Sequence, residues 1–304
     1  MSRLTKRRWF KVLLGVAAAV AVGSVALLRY GVMHSGSKVP VEPFRIAGNL
    51  YYVGAADVTA FLLTGPEGHV VIDGGYPRNA PTIIAGIAKL GFKVTDVKVL
   101  VNSHAHLDHA GGLKALQEAS GAKLWVSERD ASFVAHGGAG LPSIWPVRFL
   151  EWTGLLRFPA PHIDHTFKDG DTIRVGPVEL VGNVTAGHTP GCTSWSFTVR
   201  AGDRELRAVD ICSLTLQGAS LVEPEAYPGI RADFERSFST LRSLRADIFL
   251  ATHTEWFDMQ RKLGERAGAK NPADPFIDRD GYLRFIDSAE KDFRELLAKQ
   301  QRRP

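Results

Sequence analysis

The sequence predicts an α/β sandwich, because its strands and helices follow a grouped order. Short runs rich in β-branched and aromatic residues, typical of buried strands, cluster in the first half of the chain and again in the second half. Segments with helical spacing of apolar residues lie at both ends of each half. Grouped strands of this kind favour a sandwich over a doubly wound sheet.

In the first half, the turn residues and apolar runs place each element in order. Helix 80–90 is predicted from the spacing of Ile83, Ile84, Ile87 and Leu90. A second helix is predicted over 109–119, directly after a motif rich in histidine. The strands of this half are predicted at 50–53, 58–63, 69–72, 97–101 and 123–126.

In the second half, helix 231–245 is predicted from Phe234, Phe238 and Leu241, which lie on one face. A final helix is predicted over residues 281–299. The strands are predicted at 172–175, 178–181, 195–199, 206–211 and 247–251. Between the halves, residues 137–165 lack periodicity and contain glycines, four prolines and aromatic residues, which indicates a functional loop or lid. Its Trp145, Phe149 and Trp152 fit a pocket lining and a cap on the core equally well.

The N-terminus resembles an export signal. Five basic residues precede an apolar run over 12–28. Arg7 and Arg8 fit a twin-arginine signal, or a chance pair in a basic leader. A cleaved signal and a retained membrane anchor both remain open. We therefore expect residues 1–40 to be signal or anchor with a linker, residues 41–304 to form one domain, and the protein to be periplasmic, soluble or tethered.

Charge argues against a nucleic-acid partner. The formal net charge is +5, but residues 1–40 contain seven basic residues and no acidic one. The remainder has 30 basic and 32 acidic residues, a net charge of −2. The basic character therefore comes from the leader, and the expected partner is a small molecule.

The segment 102–112 contains the chemistry-bearing motif. His104, His106, Asp108 and His109 offer four potential metal ligands within six residues. They follow a predicted strand end, where alternating side chains would place the first two on one side and the others toward a different point. This pattern predicts two adjacent metals. A polar loop with solvated histidines is the alternative, and such crowding of polar groups at a strand end disfavours it.

Two further histidines could complete the ligand sets. His188 lies in a turn between predicted strands, and His253 directly follows the predicted strand 247–251. Each is weak evidence alone. Together with the motif, they give two sets of three ligands with open coordination positions, as catalytic zinc requires.

The motif His-x-His-x-Asp-His at 104–109 resembles that of the metallo-β-lactamase superfamily. The similarity covers about 45–299 and is strongest to the third subclass of class B β-lactamases. It implies a four-layer αββα sandwich with two Zn²⁺ at one edge. By this resemblance, the first zinc is bound by His104, His106 and His188, and the second by Asp108, His109 and His253. Asp73 would hold the 104–109 loop in position without binding a metal itself.

The same resemblance makes the segment 210–214 diagnostic. A Cys212 ligand would indicate the first β-lactamase subclass, and a metal-bridging Asp would indicate thioesterases. A non-ligand serine fits the third subclass. We favour Ser213 as a substrate contact and a disulfide between Cys192 and Cys212, which leaves Asp210 without an assigned role.

The implied activity is hydrolysis of the β-lactam amide by a zinc-activated hydroxide that Asp108 orients. Lactones and glutathione thioesters are the rival substrates within the superfamily. A tethered zinc-binding protein without turnover is the rival from another class. RNA processing is disfavoured by charge and export. We expect a monomer that touches the membrane only through residues 1–40.

Overall fold

Two β-sheets packed face to face form the centre of the molecule. The structure is a computed structural model that describes residues 3–36, 41–142, 145 and 147–302. The first sheet has seven strands in chain order: β1 (Phe44–Ala47), β2 (Leu50–Tyr52), β3 (Phe61–Gly65), β4 (Gly68–Ile72), β5 (Val97–Val101), β6 (Lys123–Ser127) and β7 (His165–Phe167). Strands β1 to β4 are antiparallel, and β4 to β7 are parallel.

The second sheet has five strands in the order β12-β11-β10-β9-β8. They are β8 (Thr172–Val175), β9 (Val178–Val184), β10 (Thr193–Ala201), β11 (Arg204–Ile211) and β12 (Ile248–Ala251). Strand β12 pairs with β11 in parallel, and the other neighbours are antiparallel. The parallel pairing brings the chain that leaves β12 to the same edge as the end of β11.

Helices cover the outer face of each sheet. Helices α2 (Ala80–Lys89) and α4 (Leu113–Ser120) pack on the first sheet through Ile83, Ile87, Leu113 and Leu116. Helices α7 (Ile230–Leu244) and α9 (Arg279–Gln301) pack on the second. The remaining helices are α1 (Arg3–Met33), α3 (Leu107–Ala110), α5 (Ala131–Ala135), α6 (Val147–Trp152) and α8 (Met259–Arg266). The predicted four-layer αββα sandwich is confirmed.

The core follows from strand alternation. In β3, Phe61 and Leu63 belong to the cluster between the sheets, whereas Leu62 belongs to the cluster beneath α2 and α4. Trp195 of β10 is completely buried in the inter-sheet cluster. Both faces of the first sheet are therefore covered, which explains why every residue of β2 and β4 is buried.

Several elements differ from the sequence prediction. Strands β1 and β7 and helix α8 were not predicted, and helix α6 forms inside the segment expected to be irregular. The helix predicted over 109–119 is divided into α3 and α4 at Gly111 and Gly112. A side chain at Gly112 would lie 2.2 Å from the carbonyl oxygen of Gly74. Glycine is therefore required where these two loops cross beside the histidine motif.

The N-terminal helix ends beside the folded body. Its segment Lys11–Met33 is long and apolar enough, by length and composition, to cross a membrane, and none of it is buried. Near its end, Arg29 donates a hydrogen bond to the carbonyl oxygen of Gly154. Arg78 donates to the carbonyl oxygen of His34 at 3.0 Å. The division into residues 1–40 and 41–304 remains a prediction.

Candidate metal centre

Three chain segments that leave strand ends converge at one edge of the sandwich. Residues 102–106 follow β5, residues 185–192 join β9 to β10, and His253 lies two residues beyond β12. The first segment belongs to the first sheet, and the other two belong to the second. The site therefore lies across the junction of the two halves.

The first group of facing side chains is His104, His106 and His188. One ring nitrogen of each lies within 4.8 Å of the others. Nε2 of His188 is 2.9 Å from Nδ1 of His106. His104 is buried, and the other two are half-buried and open to solvent on one side.

The second group is Asp108, His109 and His253. Asp108 Oδ2 lies 3.3 Å from His109 Nε2 and 3.6 Å from His253 Nε2. The two Nε2 atoms are 3.3 Å apart. A ring nitrogen of His104 also lies within 4.8 Å of Asp108 and His109, so the groups are adjacent. All six predicted ligands are brought together.

The ring nitrogens on the far side of these imidazoles have fixed partners. His188 Nδ1 lies 2.9 Å from the carbonyl oxygen of Thr215. His109 Nδ1 lies 3.2 Å from Asp73 Oδ2, and His104 Nδ1 lies 3.0 Å from Ser103 Oγ. Such partners fix the ring orientation and tautomer, and they are typical of metal-ligating histidines.

Asp73 is positioned for the supporting role expected of it. Its carboxylate is buried, and it accepts hydrogen bonds from the amide and the hydroxyl of Ser103, both at 2.7 Å. Its backbone has φ of +63°, a conformation that Asp and Asn tolerate. One side chain thus holds both the motif loop and the ring of His109.

We expect Asp73→Asn to weaken zinc binding by about 10–100-fold. Asparagine fits the backbone and can still bond both groups of Ser103, but its amide then offers no acceptor to His109. Zinc titration against a competing chelator would measure the change. Unchanged affinity would contradict this assignment, and Asp203→Ala in an exposed turn is the control.

Electrostatics keep most of the imidazoles neutral. Burial, and then the neighbouring histidines, lower the pKa values of His104, His188 and His253. Burial is also the main cause that lowers the pKa of His106, to about 4. Burial raises the pKa of Asp108, but the neighbouring imidazoles, His109 first, outweigh it and lower the pKa. Neutral nitrogens facing an ionised carboxylate match the donor chemistry of zinc.

His109 differs from the other histidines. Burial lowers its pKa, but the charge and hydrogen bond of Asp108, followed by Asp73, outweigh burial and raise it to about 10. A bound metal must displace this proton. We expect zinc affinity to rise with pH between 7 and 9, by up to about tenfold per unit. Calorimetry in buffers of different ionisation enthalpy should detect about one released proton; affinity independent of pH would contradict this prediction.

Comparison with known proteins shows which family this chain resembles. The sequence model of the metallo-beta-lactamase superfamily matches residues 53–201. FEZ-1 metallo-beta-lactamase from Legionella gormanii aligns with a TM-score of 0.83 and 35% identity, covering 88% of this chain and 100% of that one. BJP-1, a subclass B3 metallo-beta-lactamase of Bradyrhizobium japonicum, aligns with a TM-score of 0.77 and 35% identity, over 86% and 96%.

The chain belongs to the metallo-β-lactamase superfamily. Curated relatives with other activities also match. Hydroxyacylglutathione hydrolase of Jannaschia sp. is 32% identical over 141 residues, which cover 46% of this chain and 43% of that protein. The match therefore spans less than half of that relative. N-acyl homoserine lactonase AttM of Agrobacterium fabrum is 28% identical over 226 residues, covering 66% and 78%. Superfamily membership thus establishes a hydrolase and leaves the substrate open.

Within this metallo-β-lactamase fold, Asp130 is a site residue that the sequence did not reveal. It is buried after β6, and it accepts hydrogen bonds from Thr189 Oγ1 and the Gly191 amide, both at 2.7 Å, and from the Ala105 amide at 3.1 Å. Burial raises its pKa to about 6 against the lowering effect of these bonds. Asp130 thus ties the motif loop to the loop that carries His188.

The segment 210–214, which contains the end of β11 and the residues that follow it, has a defined arrangement. Cys212 forms a disulfide with Cys192, as expected. Asp210 is buried, and Oδ1 has no hydrogen-bond partner among the described residues. Burial, and then Asp73, raise the pKa of Asp210. Neither Asp210 nor a free thiol contributes to the two groups of facing ligands.

Ser213 is less accessible than its predicted role requires. It is 1% exposed, and its hydroxyl lies 2.9 Å from that of Thr215. Thr215 Oγ1 in turn lies 3.0 Å from His188 Nδ1. In this structure Ser213 supports His188 through Thr215, and a direct substrate contact remains a prediction.

A cavity of about 470 Å³ opens above the candidate metal centre. His106, Asp108 and His188 lie in its lining with Tyr76 and Arg157. Burial and the charges of Asp108 and Asp57 raise the pKa of Tyr76 to about 12, so its phenol is a neutral donor. The remaining walls are mostly apolar, and they include Leu107, Leu141, Leu156, Leu216 and Ile230. This volume suits a small organic molecule with a few polar groups.

Proposed function

We propose that this protein is an exported zinc-dependent β-lactamase of the third subclass. The observation that carries the proposal is the segment 210–214, which contains the end of β11 and the residues that follow it. Superfamily thioesterases place a metal-bridging Asp there, and the first β-lactamase subclass places a Cys ligand there. Here Cys212 is held in the disulfide, and Asp210 lies outside both ligand groups.

The residues present fit two zinc ions. His104, His106 and His188 would hold the first, and Asp108, His109 and His253 would hold the second. When bound, the ions supply Lewis acidity and lower the pKa of water toward neutrality. Asp108, ionised and facing the cavity, accepts a hydrogen bond from the attacking water and orients it. The supporting contacts of Asp73 and Asp130 keep these side chains in place without substrate.

The cavity fits the chemistry of a β-lactam. These antibiotics combine a strained amide, a carboxylate and apolar substituents. Arg157 at the cavity can pair with the carboxylate, and the neutral phenol of Tyr76 can donate a hydrogen bond. The apolar walls accommodate the substituents. The apolar N-terminal helix fits export to the compartment where these drugs act, either after cleavage or as a tether.

A substrate panel tests the proposal. Zinc-loaded full-length protein in mild detergent would be assayed with a penicillin, a cephalosporin, a carbapenem, an N-acyl homoserine lactone and a glutathione thioester. We expect chelator-sensitive hydrolysis of the β-lactams, with kcat/KM well above that for the lactone and the thioester. Preferred turnover of the lactone, which the similarity to AttM would favour, would overturn the substrate assignment. Tight zinc binding without turnover of any substrate would indicate a tethered zinc-binding protein that is not an enzyme.

A further inference from the structure

Helix α6 presents an unpartnered aromatic surface. Phe149 and Trp152 are three residues apart on α6 and share one of its faces, and Trp145, two residues before the helix, packs against Phe149. The exposed fractions of Trp145, Phe149 and Trp152 are 73%, 45% and 79%. The ring centroid of Phe149 lies 5.4 Å from that of Trp145 and 6.0 Å from that of Trp152, so Phe149 contacts both tryptophans. With Leu150, which is 37% exposed, they form what we call the aromatic patch.

The aromatic patch lies outside both the core and the cavity. Its residues belong neither to the hydrophobic clusters of the core nor to the lining of the cavity. These aromatic residues form neither the pocket lining nor the core cap that the sequence allowed. A contiguous exposed group of large apolar side chains marks an interaction surface.

The end of the candidate membrane span lies beside the aromatic patch. Arg29, within that span, donates its hydrogen bond to Gly154, two residues after Trp152. Val32 and Ser35, at and just beyond the end of the helix, lie at the cavity with Leu156 and Arg157. The point where an apolar helix would leave a bilayer is therefore adjacent to α6.

The charges around the aromatic patch fit a phospholipid surface. Arg148 on α6 and Arg157 after it are exposed, and Arg29 and Tyr30 lie at the end of the span. Glu151 is the one acidic residue in the sequence from 139 to 161. Tryptophan and tyrosine favour the headgroup level of a bilayer, and arginine favours anionic headgroups.

We propose that the aromatic patch is a membrane-binding surface, which inserts into the interface of the same bilayer that the N-terminal helix crosses. The helix and the patch then hold the body at two points. The cavity, which is lined by Val32 of the N-terminal helix and by Leu156 and Arg157 just after α6, then opens toward the lipid surface. This arrangement requires retention of the helix, and it does not depend on which substrate the cavity accepts.

Spin labelling of the full chain in vesicles tests the proposal. Labels would be placed by Trp152→Cys and, as the control, by Leu283→Cys, an exposed apolar position on α9. Both native cysteines are buried in the disulfide, so the introduced thiol is the reactive one. The zinc-loaded protein would be reconstituted into phosphatidylethanolamine–phosphatidylglycerol vesicles. Collision rates with oxygen and with a neutral nickel chelate would then be measured.

We expect the oxygen-to-nickel collision ratio to be several-fold higher at position 152 than at position 283. Adding Trp145→Ser and Phe149→Ser should lower the ratio at 152 toward that of the control. Equal ratios at both positions would overturn the proposal. Protection of the label from the nickel chelate in lipid-free micelles, together with dipolar broadening, would also overturn it, because that result indicates a second copy of the chain on the patch. Protection that occurs only after substrate is added would overturn it as well, because that result indicates a lid.

Discussion

His106→Ala is expected to lower kcat/KM for β-lactam hydrolysis by about 1000-fold and to reduce bound zinc from two ions toward one. The imidazole of His106 lies 2.9 Å from that of His188 and faces the cavity, so its loss opens the first ligand group. Lewis acidity is worth several kcal/mol in the transition state, and about 4 kcal/mol corresponds to this factor. Steady-state kinetics with metal analysis of the same sample would measure both effects.

His136→Ala is the matched control for this prediction. His136 is exposed, and its Nδ1 lies 2.7 Å from the carbonyl oxygen of Ser132 in its own helical turn. We expect this variant to keep wild-type kinetics and two zinc ions. Full activity in His106→Ala would show that the first ligand group is not required, and it would refute the site as described.

Asp130→Ala is expected to lower the free energy of unfolding by about 3 kcal/mol and to weaken zinc binding as well. The change removes the carboxylate that accepts hydrogen bonds from three buried donors. Each donor left unpaired costs about 1–3 kcal/mol, and water that enters the space recovers part of this cost. The loops that carry His106 and His188 then lose their common attachment. Urea unfolding of the zinc-free protein and zinc titration would separate the two effects.

Asp203→Ala again provides the control, because this Asp lies in an exposed turn between β10 and β11. It should change stability by less than about 0.5 kcal/mol. If Asp130→Ala loses stability but binds zinc as tightly as the wild type, then Asp130 stabilises the fold without positioning the ligands. That result would reject our interpretation of its role at the site.

The sequence was most informative where a structural feature depends on residues that are close together in the chain. The repeated ligands from His104 to His109 lie on one short segment, so their convergence follows from strand alternation and one helical turn. Helices α2 and α7 were predicted because their apolar spacing matches the helical period. The distant partners His188 and His253 were predicted from their positions in a turn between strands and at a strand end, and the resemblance to a known superfamily then assigned each of them to one zinc ion.

The sequence was least informative where contacts join remote segments. Asp130 bonds groups that are 25, 59 and 61 residues away, and nothing local distinguishes it from other aspartates. Strand β7 has three residues, of which only Phe167 is buried, so it lacks a clear alternating pattern. The break between α3 and α4 depends on how close Gly74 approaches Gly112, which is a tertiary contact.

The division of the ligands between the two sheets has a practical consequence. A chain interrupted near Gly154 would give two fragments, and neither would contain a complete ligand set. The N-terminal fragment would hold His104, His106, Asp108 and His109, and the C-terminal fragment would hold His188, His253 and the edge strand β7. Hydrolysis would return only when the fragments reassemble, so this fold is suited to a split reporter in which turnover reads out the association of two fused proteins.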